Sequence, residues 1–200
     1  MPLTSNTEPT SHPAVFFDRD GTLMREVHYC HDPEKVSVIP GASEALLELR
    51  ARGFRNIIIT NQSGIGRGYF TVVQFQTVQA ELIRQLGANR IDATYYCPDV
   101  PSAESHRRKP APGMIFEAAL EHHIDLKRSF FIGDAASDIA CGRNAGVRTI
   151  LVATGYGQRD AGCEPDFKVA NVVEAVELVL QVSSLDIEKH ATPSALKSER

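Results

Sequence analysis

The chain has 200 residues, 42% of them hydrophobic and 23% charged, with a formal net charge of -4. That is enough for one domain with a real core, and it excludes a disordered acidic tail and a fibrous or low-complexity protein. No run reaches the roughly eighteen apolar residues of a membrane span, residues 1–13 lack the apolar core of a signal peptide, and mild acidity argues against a surface that coats nucleic acid. A cytoplasmic protein with no membrane or nucleic-acid partner is expected.

The first dozen residues are small, polar and proline-broken, which predicts an N-terminal tail over 1–12. The domain is placed at 13–182, and a flexible C-terminal tail at 183–200, where apolar content falls. Inside the domain the elements alternate. A strand is predicted at Ala14–Asp18, a helix at Ala42–Arg52 stopping at Gly53, and a strand at Arg55–Thr60. A helix over Thr71–Leu86 opens with the capping pair Thr71 and Gln74. There follow a strand at Ile91–Tyr96, a helix at Pro112–His123, a strand at Ser129–Gly133 and a helix at Asp138–Ala145 that stops at Gly146. Strands at Arg148–Val152 and Asp166–Val169 and a helix at Asn171–Val182 complete the pattern. Most of the strands are apolar without alternation, as strands covered on both faces are. The fold class predicted is α/β, a doubly wound three-layer sandwich around a mainly parallel sheet, with ligands beyond the carboxyl ends of the strands. Cys30, Cys97, Cys141 and Cys163 are isolated and expected to be reduced.

The chemistry is concentrated at those strand ends. Asp18 and Asp20, two apart where the first strand stops, can face one side of a crevice while Gly21 turns the chain away. Two nearby anions repel, and a divalent cation with oxygen ligands, usually Mg²⁺, relieves them. Thr60-Asn61-Gln62-Ser63 follows the second strand, Arg108-Lys109-Pro110 precedes a helix, and Gly133-Asp134 through Asp138 follows the fourth strand. An acid pair, a hydroxyl, a cation and a second acid pair are the parts needed for phosphoryl transfer to an aspartate.

With these motifs in this order, the sequence resembles the haloacid dehalogenase (HAD) superfamily of phosphohydrolases over about residues 14–160. Asp18-Arg19-Asp20-Gly21-Thr22, Pro40-Gly41 and Thr60 through Ile65 with Arg67-Gly68-Tyr69-Phe70 look like the D-glycero-D-manno-heptose-1,7-bisphosphate phosphatases and the similar histidinol-phosphate phosphatases. The resemblance implies a HAD-like, Rossmann-type fold. It implies that Asp18 is the nucleophile, that Asp20 exchanges protons with the leaving group and with water, and that Thr60 and Lys109 hold phosphoryl oxygens. Magnesium would lie on Asp18, Asp134 and the Asp20 main chain, with Asp138 in support. Crowding by like charge is expected to keep Asp20 protonated when it acts as an acid.

In the heptose-bisphosphate phosphatases the loop before the lysine often carries a structural zinc. Here it keeps Cys97 but otherwise offers only Asp99 and His106, with Arg107 beside them, so zinc is not expected. The 39 residues from Gly21 to Ile59 and the 48 from Asn61 to Arg108 leave no room for a separate cap domain. Selectivity therefore falls to the loops 23–39, 62–70 and 97–108, with Asn61, Gln62, Ser63, Arg67, Arg107 and Arg108 as substrate-binding candidates and the glycines at 64, 66 and 68 reading as a flexible loop. Cations beyond Lys109 suggest a second anionic group on a small phosphorylated sugar. The reaction expected is removal of the C7 phosphate of a heptose 1,7-bisphosphate on the way to nucleotide-activated heptose, by a monomer. Histidinol-phosphate hydrolysis, a nucleic-acid 3′-phosphatase and a non-catalytic HAD-fold binding module are the rivals.

Overall fold

Successive strand residues point to opposite faces, and here both faces are apolar. The structure, a computed structural model, describes residues 11–156 and 163–191. Strands β1 (Ala14–Phe17), β2 (Arg55–Asn61), β3 (Ala93–Cys97), β4 (Phe130–Gly133), β5 (Arg148–Val152) and β6 (Phe167–Val169) form one sheet in the order β3-β2-β1-β4-β5-β6. Every neighbouring pair is parallel. Val15, Phe17, Ile58, Phe130 and Ile132 enter one core, while Ala14, Phe16, Ile57, Ile59 and Phe131 enter the other.

Helices α1 (Ala42–Ala51), α3 (Val72–Leu86) and α6 (Val172–Ala191) cover the first of these faces; α4 (Gly113–Glu121) and α5 (Ala136–Ala145) cover the second. The three-layer α/β sandwich is thus as expected, and the six strands lie within two residues of their predicted ends. The chain leaves β1 towards β2 on one side and returns from β3 to β4 on the other. Their carboxyl ends therefore open a crevice at the point where strand order reverses. No helix among the described residues is long and apolar enough to cross a membrane.

Local chemistry explains the boundaries. Thr71 caps α3, its hydroxyl accepting the Gln74 N–H at 3.2 Å while Gln74 Oε1 accepts the Thr71 N–H at 2.9 Å. Pro112 is the N-cap of α4 instead of its first residue. A turn of helix, α2 (Ser63–Gly66), was not anticipated. It corrects the picture of a flexible glycine loop: a Cβ at Gly64 would overlap the Phe70 ring, and Gly66 donates its N–H to Pro98 O at 3.1 Å.

Two domain limits also move. His12 lies in the predicted tail but pairs with Ile124, and α6 runs past 182 to Ala191. Beyond 182 the apolar periodicity fades, yet helix-favouring residues continue and Asp186 meets Arg148 at 2.8 Å. The remainders of the two predicted tails, 1–10 and 192–200, lie outside the described residues.

A half-buried junction fixes the start of β2. Asp92 forms an ion pair with Arg50 at 2.6 Å and accepts from Arg55 at 3.1 Å and from the Asn56 N–H at 2.8 Å. Burial alone would raise its carboxyl, but Arg50, the Asn56 amide and Arg55 outweigh burial and hold it below its ordinary value of 3.8. A carboxyl lowered on folding stabilises above its unfolded value and loses that contribution as pH falls through the folded value. Asp92→Asn is expected to unfold at lower urea than the parent at pH 7, with the gap narrowing below about pH 4. Urea melts at pH 7, 5, 4 and 3 check this; a gap unchanged by pH would remove the charge argument.

Candidate active site

The crevice floor is built from strand ends. Asp18 directly follows β1, and its N–H donates to Ile132 O at 3.0 Å, which aligns the ends of β1 and β4. Asp134 follows β4, and Asp138 lies in the first turn of α5, where its Oδ2 accepts the Ala135 N–H at 3.0 Å. Among the described residues, Asp18, Asp134 and Asp138 are the group whose ligand atoms could share an ion, all within 4.8 Å of one another. Cys97, Asp99 and His106 do not form such a group; Cys97 Sγ instead donates to Asp99 Oδ2 at 3.3 Å and lies 3.6 Å from Ser105 Oγ.

One cation faces the acids. Lys109 Nζ donates to Asp18 Oδ1 at 2.5 Å and to Ile59 O at 2.9 Å, and it forms an ion pair with Asp138 Oδ1 at 2.7 Å. Burial alone would favour the neutral amine, but Asp138 and Asp18 outweigh it and raise the lysine. Asp18 is raised well above the ordinary carboxyl range by burial, which Lys109 opposes and the neighbouring acids reinforce. Asp134 is pushed up to about 7 by burial and by Asp138. Three buried carboxyl groups against one ammonium form a hard-oxygen set short of positive charge, which fits a divalent cation such as Mg²⁺.

Asp134 is also held by backbone. Tyr156 donates its N–H to Asp134 Oδ2 at 2.7 Å, and a Cβ at Gly21 or Gly155 would overlap that oxygen. Gly21 has a φ of 82°, in the left-handed region that glycine occupies without strain.

Asp20 stands apart from this trio. Arg19 grips it in a fork, Nε to Oδ2 at 2.9 Å and Nη2 to Oδ1 at 3.0 Å, and Gln62 Nε2 donates to Oδ2 at 3.0 Å. The expectation that Asp20 is crowded by anions is therefore corrected for its immediate contacts, which are donors. Arg19 was missed by sequence reasoning: it lies between two acids in a motif, yet it is only 1% exposed and rests over the Phe75 ring of α3 at 5.3 Å.

Asp18, Asp20, Thr60, Asn61, Gln62, Ser63, Arg108, Lys109, Asp134 and Asp138 all line one cavity of about 370 Å³. Two predicted residues do not. Arg67 is exposed beyond α2, and Arg107 turns to Glu117 on α4, with Nε to Oε1 at 3.0 Å, because an adjacent carboxylate on a helix is a nearer partner than the crevice. Arg108 stays on the wall, Nη1 donating to Asp99 O at 2.8 Å. Glu26, His28, Tyr29 and Tyr156 complete the rim, and none was singled out from sequence. Glu26 Oε1 accepts from Tyr156 Oη at 3.3 Å and is raised, chiefly by burial and then by Asp20. The 23–39 segment that carries Glu26 doubles back on itself: Arg25 donates to Ser37 O at 2.8 Å and Ile39 to Leu23 O at 3.0 Å.

The HAD-hyrolase-like family model matches residues 106–177. A D-glycero-D-manno-heptose-1,7-bisphosphate 7-phosphatase of Thermosynechococcus vestitus is 37% identical over 84% of this chain and 95% of its own length. The D-glycero-beta-D-manno-heptose-1,7-bisphosphate 7-phosphatase of Escherichia coli K12 is 40% identical over 72% of this chain and 81% of its own. In three dimensions the chain is similar to the D,D-heptose 1,7-bisphosphate phosphatase of B. bronchiseptica, solved with magnesium and phosphate. That match has a TM-score of 0.79 and 27% identity over 85% of this chain and 99% of that one.

Because Gly21 abuts Asp134, Gly21→Ala is expected to push the carboxylate out of the trio and lower kcat for phosphate release by at least about tenfold. Steady-state rates with a thermal melt check this; a folded variant with the parent's kcat would show that Asp134 tolerates the shift.

Proposed function

The chain belongs to the D-glycero-D-manno-heptose-1,7-bisphosphate 7-phosphatase family of HAD-like phosphatases, and from that premise we propose that it removes the C7 phosphate of a heptose 1,7-bisphosphate through a phospho-aspartate. The observation that carries the reading is the buried Lys109 bonded at once to Asp18 and Asp138, with Asp134 in the same cluster. Asp18, Asp134 and Asp138 would hold Mg²⁺, which supplies positive charge to a phosphoryl oxygen as negative charge develops in the transition state.

The chain's own groups divide the remaining work. An oxygen of Asp18 attacks phosphorus in line, forming the Asp18–phosphorus bond as the bond to the sugar oxygen breaks. Asp20 gives its proton to that departing oxygen and then takes one from the water that hydrolyses the phospho-aspartate. Thr60 and Lys109 orient the phosphoryl oxygens, Lys109 trading a contact with the acids for one with the substrate. Arg108, on the crevice wall, is the cation left for the substrate's second phosphate. Arg67 and Arg107 have no part in this reading. The enzyme acts as a monomer in the cytoplasm.

With Mg²⁺ and a panel of both heptose bisphosphate anomers, histidinol phosphate, fructose bisphosphate and a 3′-phosphorylated oligonucleotide, the highest kcat/KM is expected for a heptose bisphosphate. A preference for histidinol phosphate would overturn the substrate assignment, and phosphate release that survives in Asp18→Asn would overturn the nucleophile. Arg108→Ala is expected to raise KM for the bisphosphate by about tenfold, the loss of one charge-assisted hydrogen bond, and to leave p-nitrophenyl phosphate within about twofold. Equal effects on both substrates would remove Arg108 from second-phosphate recognition.

Protons compete with the cation for Asp134. Since its carboxyl is pushed up to about 7, it is ionised above that pH and protonated below it. The half-saturating Mg²⁺ concentration is therefore expected to rise as pH falls from 8 to 6, by up to about tenfold per unit below 7. Mg²⁺ titrations of activity at three pH values test the sign.

A further inference from the structure

The loop that delivers Lys109 has no regular element between the end of β3 at Cys97 and the start of α4 at Gly113. A four-torsion side chain on such a loop keeps considerable freedom unless something fixes its base. Its tip is fixed by Asp18, Asp138 and Ile59 O. We propose that Asn61 is the positioning residue that fixes the base, clamping the Lys109 backbone so that the ammonium reaches the acids in register.

Asn61 ends β2, two residues after the Ile59 that receives the Lys109 tip. Its Nδ2 donates to Lys109 O at 3.1 Å and its Oδ1 accepts the Lys109 N–H at 3.1 Å. The pair of bonds closes a ring, like one rung of a strand ladder made by a side chain. Only one orientation of the amide forms both; flipped, donor would face donor and acceptor would face acceptor. The end of β2 is itself fastened, because the Gln62 N–H donates to Cys97 O at 2.7 Å. Farther along the loop, Asn144 Nδ2 donates to Pro110 O at 3.0 Å and Cys141 Sγ to Ala111 O at 3.3 Å, both from α5. Lys109 is thus held by β2 at both ends and its successors by α5. Asn61 lines the crevice, but its amide faces the protein's own backbone.

This inference rests on phosphoryl transfer at Asp18 but not on which sugar is the substrate. The experiment compares the parent with Asn61→Ala and Asn61→Asp, the second keeping the size while setting a carboxylate against Lys109 O. Two readouts are taken on Mg²⁺-loaded protein: kinetics with the heptose bisphosphate and with p-nitrophenyl phosphate, and reductive methylation of Lys109 followed by peptide mass spectrometry. A positioning role predicts that kcat falls by at least about tenfold for both substrates, by the same factor, with KM within about twofold. It also predicts that methylation of Lys109 becomes at least about fivefold faster in both variants, without a change at surface lysines. A rise in KM for the bisphosphate alone would make Asn61 a substrate contact and overturn the proposal, as would Lys109 methylation at the parent's rate. Faster methylation with undiminished turnover would uphold the clamp and overturn the role given to Lys109 in the reaction.

Discussion

The ammonium of Lys109 is buried where it donates to Asp18 and to the carbonyl of Ile59 and forms an ion pair with Asp138. Burial raises Asp18 and Asp134, their neighbouring acids raise them further, and Lys109 opposes the rise. With the lysine among them the cluster is tolerable, and it remains short of positive charge by an amount suited to a divalent ion. The rest of the molecule is arranged so that four chain segments bring these groups to one place.

The sheet does this through its order. With β1 flanked by β2 and β4, the residues after three adjacent strands converge, and parallel pairing makes all of them carboxyl ends. Alternation along β1, β2 and β4 commits successive side chains to different cores, which fixes the register tightly. Backbone completes what side chains begin: Gly21 and Gly155 admit Asp134, and the Tyr156 amide bonds to it. Arg19 links this floor to the helical layer, its guanidinium between Asp20 and the face of Phe75.

Six strands, the helix caps and the acid, hydroxyl and lysine motifs were legible because each leaves a local mark: an apolar run, a capping pair, two acids at a strand end. Asp18, Asp134 and Asp138 converge as their placement at strand ends implied, while Asp20 turns to Arg19 and Gln62. What was not legible depends on contacts distant in sequence. Nothing local tells Arg107, bound to Glu117, from Arg108, which faces the crevice. Nothing local to Asn61 signals that its amide bonds to a backbone 48 residues away. Arg19, charged and flanked by acids, carries no local sign of burial. Apolar periodicity ends at Val182, while helix propensity and the Arg148–Asp186 pair carry α6 onward to Ala191.

The division of labour between strand ends and loops has an evolutionary consequence. One residue inserted within β1 would exchange its two cores and carry Asp18 away from Lys109, so length there is frozen. Beyond the bonds that Gln62 makes to Cys97, Gly66 to Pro98 and Arg108 to Asp99, the stretch from Val100 to Ser105 can lengthen, shorten or change its fastening without disturbing the sheet. Lineages descending from such a scaffold are free to diversify in what they select while inheriting one unaltered reaction, with β2 through Asn61 and Ile59 as the seam between the part that drifts and the part that cannot.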